Sequence, residues 1–85
     1  KMVSSDIKVY PNPTTGIINI KASKEYLTSA KLSLTTLTGS VILIKEISGQ
    51  DEVSLDITDL PEGVYLLHLT NKMGHLTGKV ILTHR

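Results

Sequence analysis

Cysteine is absent from all 85 residues, and with it go disulfide staples, thiolate nucleophiles and metal sites built on sulfur. Phe and Trp are absent too, so Tyr10, Tyr26 and Tyr65 are the only aromatic rings. Three scattered rings make no platform on which sugars or nucleic-acid bases could stack. Neither sign of charge prevails: nine basic residues against eight acidic ones give a net charge of +1. No basic stripe marks out a nucleic-acid or anionic-lipid partner. The longest apolar run, Val41-Ile42-Leu43-Ile44, is far below the roughly 20 residues a membrane-spanning helix needs. The first residues carry no charged-then-apolar secretory signal pattern, and the chain reads as a piece from the end of a longer protein.

What is present points to strands. Apolar residues make up 40% of the chain, nearly all of them Ile, Leu and Val, and Ser plus Thr contribute eighteen more positions. β-Branched residues in this density favour pleated sheet, and 85 residues allow one domain with one modest core. Strand patterns recur at roughly ten-residue spacing with turn residues between, as in a sandwich or small barrel. They fall at Ile7–Tyr10, Ile17–Ala22, Lys31–Leu37, Val41–Ile47, Glu52–Ile57, Gly63–Asn71 and Leu76–Thr83. Ser23–Ser29 has slight helical character and reads as a turn. Ile18 with Ile20, Leu32 with Leu34, and Val53 with Leu55 and Ile57 each share one face, the period-two mark of a half-buried strand. The last two strands carry apolar residues on both faces, Val64, Leu66 and Ile81 among them, and so read as a central hairpin.

Turn chemistry suggests register. A two-residue loop at Met73-Gly74 sets Leu67 against Val80, Tyr65 against Leu82 and His68 against Lys79. A loop at Thr38-Gly39 sets Leu34 against Leu43 and Lys31 against Glu46. In Tyr10-Pro11-Asn12-Pro13-Thr14-Thr15-Gly16, two prolines hold φ and bias the preceding residues toward extension. Asn12 can bond its downstream backbone, and Gly16 can take a positive φ. The result is a rigid corner, expected to pass the chain from one sheet to the other. Leu60-Pro61-Glu62-Gly63 is a second such turn, after which Tyr65 should bury its ring and send its hydroxyl to a backbone partner.

Catalytic groups are harder to assemble. His68, His75 and His84 lie seven and nine residues apart, outside ordinary metal-ligand spacing, and the register above leaves His75 in a turn far from the other two. Asp51, Glu52, Asp56, Asp59 and Glu62 hold five of the eight carboxylates, without the alternation around glycine of a calcium loop. Asp56 and Asp59 suit a turn instead. No glycine-rich phosphate loop occurs, and the many hydroxyls suit the wet face of a sheet better than a Ser-His-acid triad. The chain is therefore not expected to be an enzyme, and no catalytic residue, metal or cofactor is assigned.

The Pro-Asn-Pro corner, the Leu-Pro-x-Gly-x-Tyr restart and the closing Gly78-Lys79-Val80-Ile81-Leu82 occur in this order, with Leu32–Gly39 between them. Together, over Ile7 to Arg85, they resemble the C-terminal sorting domains of the type IX secretion system of Bacteroidetes. That resemblance implies an all-β, immunoglobulin-like antiparallel β-sandwich of about seven strands. It further implies a domain over 7–85, preceded by a linker and cleavage-proximal segment over 1–6. Its motif residues here are Pro11, Asn12, Pro13, Gly16, Gly63, Tyr65, Gly78, Lys79, Val80 and Ile81. The implied partners are a cargo domain ahead of it in the chain, the secretion machinery and a sortase-like surface peptidase. No nucleic acid or membrane insertion is expected, and the domain is expected to be a monomer. The implied destination is the medium or cell surface, by way of the periplasm and outer membrane. His84-Arg85 makes a more basic ending than the family's apolar one. The rival reading is a non-catalytic sandwich that binds carbohydrate or protein beside a secreted enzyme; a structural spacer of the fibronectin kind is a third.

Overall fold

A computed structural model of the chain describes residues 7–22, 27–49, 52–72 and 74–84. Seven strands follow one another: β1 (Lys8–Tyr10), β2 (Ile17–Lys21), β3 (Ala30–Thr36), β4 (Val41–Ile47), β5 (Glu52–Asp56), β6 (Gly63–Asn71) and β7 (Gly74–Leu82). They form two antiparallel sheets, one ordered β1-β2-β5 and the other β4-β3-β6-β7. This is an immunoglobulin-like order in which the fourth strand joins the sheet of the third, sixth and seventh. Ser23–Tyr26 fall outside the described residues, but Leu27 just after them is fully buried and Ser29 turns the chain with a φ of 54°.

The period-two pattern packs as its spacing dictates. Ile18, Ile20, Val53, Leu55 and Ile57 face inward from one side and Leu32, Leu34, Leu67, Leu69, Val80 and Leu82 from the other, all buried. Antibody domains place a disulfide and a tryptophan at this centre. Here Leu67, two residues past Tyr65, and the aliphatic side chains of β2 and β3 occupy it, so the sandwich closes without cysteine.

Tyr65 stands near the start of β6 with its ring buried and its hydroxyl donating to the Pro61 carbonyl. A tyrosine so placed, bonded back to the backbone just upstream, is the tyrosine corner of sandwich domains. Tyr65→Phe keeps the ring and leaves the Pro61 carbonyl without this donor. The expected cost is about 1 kcal/mol, read as a lower urea midpoint at unchanged slope.

The β3–β4 register agrees with expectation at Leu34↔Leu43 and Lys31↔Glu46; a bulge then pairs Thr35 with Val41. The β6–β7 register does not agree. Asn71 pairs with Gly74, Leu67 faces Gly78, Tyr65 faces Val80 and His68 faces Thr77. Gly74 spends its positive φ of 143° at the first residue of the strand and not inside the loop. The two registers differ by two residues, which leaves every side chain on its own face; hydrophobic alternation cannot tell them apart.

The last hairpin is also not central. β6 lies between β3 and β7, and β7 is an edge. Val64 is 37% exposed, and Leu66 and Ile81 are half-buried on the outer face, where Val41 and Ile44 of β4 are each 58% exposed. Apolar residues on both faces here mean a greasy outer surface, not enclosure.

Candidate functional site

An edge strand presents a row of unpaired backbone groups, and proteins cover such edges. In this chain the corner after β1 covers β7. Its two prolines follow cis peptide bonds, and Pro11, Asn12 and Pro13 all stand at the surface. The Asn12 amide lies along β7 in place of a backbone. Its Nδ2 donates to the Lys79 carbonyl at 2.8 Å, and its Oδ1 accepts the Ile81 N–H at 2.9 Å. Thr14 continues the pairing as a one-residue parallel bridge to Leu82. Its N–H donates to the Ile81 carbonyl at 2.8 Å, and its carbonyl accepts the Thr83 N–H at 2.9 Å.

Thr14 is 1% exposed, so its hydroxyl needs partners inside the protein. The hydroxyl donates to the Ile17 carbonyl at 2.9 Å and accepts the Gly16 N–H at 3.1 Å. Every polar group of this residue is thereby paired, and the strap is held in one conformation. Asn12→Ala removes two of the four bonds along β7, both at the surface where water can replace them. The expected loss is about 1–2 kcal/mol in urea unfolding. Asn12→Asp should cost as much, because a carboxylate oxygen would then face the Lys79 carbonyl.

The corner therefore does not pass the chain between sheets. β1 and β2 pair with each other at Val9↔Ile20, and the strap between them reaches across to β7 and returns. Gly16 needs no positive φ either; it is a close-approach glycine, whose added Cβ would stand 2.4 Å from Thr58 Oγ1. Gly78 does the same for β1, since a Cβ there would meet Ile7 and Val9 side chains at 3.2 and 3.3 Å.

The sequence-marked residues thus gather around β7. Asn12, between the exposed Pro11 and Pro13, is bonded along its outer edge, and Gly63 and Tyr65 pair with Leu82 and Val80 along its inner one. Within β7, Gly78 receives β1, Val80 is fully buried, Lys79 is exposed and Ile81 is half-buried. Gly16 stands apart, tying the strap to the β5–β6 turn through its carbonyl, which accepts the Ile57 N–H at 2.7 Å.

Thr14 and Thr58 carry much of this geometry and were not marked by sequence. A buried threonine reads like any turn threonine until its neighbours are known. Asp56 behaves as its turn position suggests: Oδ1 accepts the Thr58 hydroxyl at 2.6 Å and the Thr58 N–H at 3.0 Å. Those bonds, the hydroxyl's first, hold the Asp56 carboxyl below its ordinary range. Glu52 accepts the Tyr10 hydroxyl, which pushes the phenol above its ordinary value. Glu62 accepts the His84 N–H at 3.3 Å, so these carboxylates serve separate partners, while Asp51 lies outside the described residues. The histidines are placed otherwise than expected. His75 lies in β7, not in the turn, with its ring centroid 5.3 Å from that of His68.

The fold and the strap define a class: a small immunoglobulin-like module that presents its last strand clamped by its own first corner. The family model described as the secretion system C-terminal sorting domain matches residues 8–83, and the chain belongs to that family. No curated protein matches the chain. The domain is a C-terminal sorting signal for type IX secretion, a system of the Bacteroidetes. Family membership implies a cargo ahead of it, a contact with the secretion machinery and a secreted or cell-surface destination. The domain itself is a signal and not a catalyst.

Proposed function

We propose that the element read by the secretion machinery is composite: the terminal strand β7 together with the Pro11–Thr14 strap that covers it. The observation that carries this reading is the set of four hydrogen bonds from Asn12 and Thr14 to Lys79, Ile81 and Thr83. With that edge paired, strand addition at Lys79–Thr83 would require displacing the strap, whereas the exposed side chains of Pro11, Pro13 and Lys79 can be contacted directly. In this reading Tyr65, Gly63, Gly16, Gly78 and Val80 hold the shape, and Pro11, Asn12, Pro13, Lys79 and Ile81 present it.

Residues 1–6 are the linker near which a sortase-like surface peptidase cuts, and 7–85 form the sorting domain, acting as a monomer. The cargo reaches the periplasm by a signal peptide of its own and crosses the outer membrane once the folded domain is recognised. The test is a secreted reporter fused ahead of this domain in a type IX-competent host. Lys79→Ala changes an exposed side chain and should leave the urea midpoint within about 0.5 kcal/mol of the parent. It is expected to lower the exported fraction several-fold. Export at the parental level from Lys79→Ala and Pro11→Ala alike would overturn the composite reading. Among the described residues the aromatics lend the rival binding-module reading no platform, because Tyr65 is buried and Tyr10 is bonded to Glu52.

A further inference from the structure

The outer face of the four-stranded sheet brings two imidazoles together in a way the sorting role does not use. His68 on β6 and His75 on β7 lie diagonally across the ladder, since His68 pairs with Thr77 and His75 with Thr70. His68 Nδ1 and His75 Nε2 stand 3.3 Å apart. Two nitrogens bound at about 2.0–2.1 Å to one tetrahedral ion stand roughly 3.3 Å from each other. Each ring is held from behind by a threonine hydroxyl: His68 Nε2 lies 3.0 Å from Thr35 Oγ1, and His75 Nδ1 lies 2.9 Å from Thr70 Oγ1. Thr35 is itself buried, so that anchor is built into the sheet.

We infer that His68 and His75 form a two-imidazole site for a borderline divalent cation such as Zn²⁺, Ni²⁺ or Cu²⁺. The threonine hydroxyls, which accept as well as donate, permit the tautomer that a metal site needs. When His68 Nε2–H and His75 Nδ1–H donate to Thr35 and Thr70, the two nitrogens that face each other both carry lone pairs. Facing lone pairs at this distance leave a gap that a proton or a cation can bridge. Metal-binding histidines are commonly oriented by an oxygen acceptor on the far N–H, a place the Thr35 and Thr70 hydroxyls can fill here. Thr77 Oγ1, 3.1 Å from His75 Nε2, donates to that nitrogen when no cation is bound and yields it when one is. A turn of the exposed His75 ring aims both lone pairs at one ion, and water completes its shell. Among the described residues no third His, Cys, Asp or Glu joins the pair. The site therefore follows the Irving–Williams order, Cu²⁺ above Ni²⁺, with no geometric selection against the larger affinity. A bound ion would staple β6 to β7, the strand that carries the closing motif. This goes beyond the sorting role and stands or falls separately from it.

The test is a Zn²⁺ titration of the 85-residue chain by calorimetry, with thermal unfolding followed in parallel. One equivalent should bind, and the melting temperature should rise with Zn²⁺, because an ion that binds the native state alone stabilises it. His68→Gln and His75→Gln should each weaken binding at least tenfold and abolish the thermal shift, while His84→Gln should change neither. Both positions lie on the outer face, so the variants are expected to fold, and their metal-free melting curves check it. Parental Zn²⁺ affinity in His68→Gln, loss of binding in His84→Gln, or no binding at millimolar Zn²⁺ would each overturn the site.

Discussion

Deletion of Lys79–Arg85 is expected to unfold the domain, and to strand an attached cargo in the periplasm as a consequence. The segment removes Val80 and Leu82, both fully buried against the opposite sheet. Truncating buried aliphatic side chains of this size costs about 2–5 kcal/mol each, and deleting them with their backbone costs more. The deletion also takes away the β6 pairs from Leu66↔Lys79 to Gly63↔Leu82, and every group the strap holds. A domain of 85 residues has a total stability of roughly 4–13 kcal/mol at the usual per-residue range. The loss is of the same size as the whole. Circular dichroism and a urea titration of the shortened chain check the first half of the expectation; a cooperative transition with a normal slope would refute it. Normal export of a cargo bearing the shortened domain would refute the second half. Lys79→Ala, which spares the core, separates recognition from folding.

Gly16→Val is expected to cost about 3 kcal/mol, the upper end of what overpacking does in a tight site. A single added Cβ would stand 2.4 Å from Thr58 Oγ1 and 3.4 Å from Thr58 Cβ. Thr58 cannot simply rotate aside, because its hydroxyl is bonded to Asp56 at 2.6 Å in the turn that leads to the tyrosine corner. The strap must move instead, and the Gly16 carbonyl then loses the Ile57 N–H. Thr58→Ala removes the nearest obstacle, so the double variant Gly16→Val/Thr58→Ala should recover part of the loss. Thermal or urea unfolding of the two singles and the double measures that coupling; strict additivity would show that the clash is elsewhere.

That glycine illustrates how far sequence reasoning reaches. The sequence marks Gly16 as special and allows it a positive φ, because glycine after a proline corner usually serves backbone freedom. The requirement is instead a neighbour 42 positions along the chain, which no local pattern reveals. Asn12 is similar. Its place between two prolines announces a turn, yet its side chain bonds Lys79 and Ile81, not its own downstream backbone. The histidines were separated by a register that alternation could not distinguish from the true one, and a shift of two residues along β7 brought His75 against His68. Ile18, Ile20, Leu32, Leu34, Val53, Leu55 and Ile57, by contrast, needed only the period of two to be placed in the core.

The sequence by itself determined the strands, the inward faces of β2, β3 and β5, the buried Tyr65 with its backbone-bound hydroxyl, and the family to which the chain belongs. Those follow from short-range causes: side-chain alternation, the φ of proline, and motifs whose order along the chain is visible without folding it. Only the tertiary structure decided which strand lies at the edge, how the last hairpin is registered, and that the corner and the terminal strand are one clasp. Each of these is a contact between residues dozens of positions apart, chosen by the pairing of backbone groups left over once the core has formed. The two ends of the chain are separate motifs on paper, and in the folded domain four hydrogen bonds make them one surface.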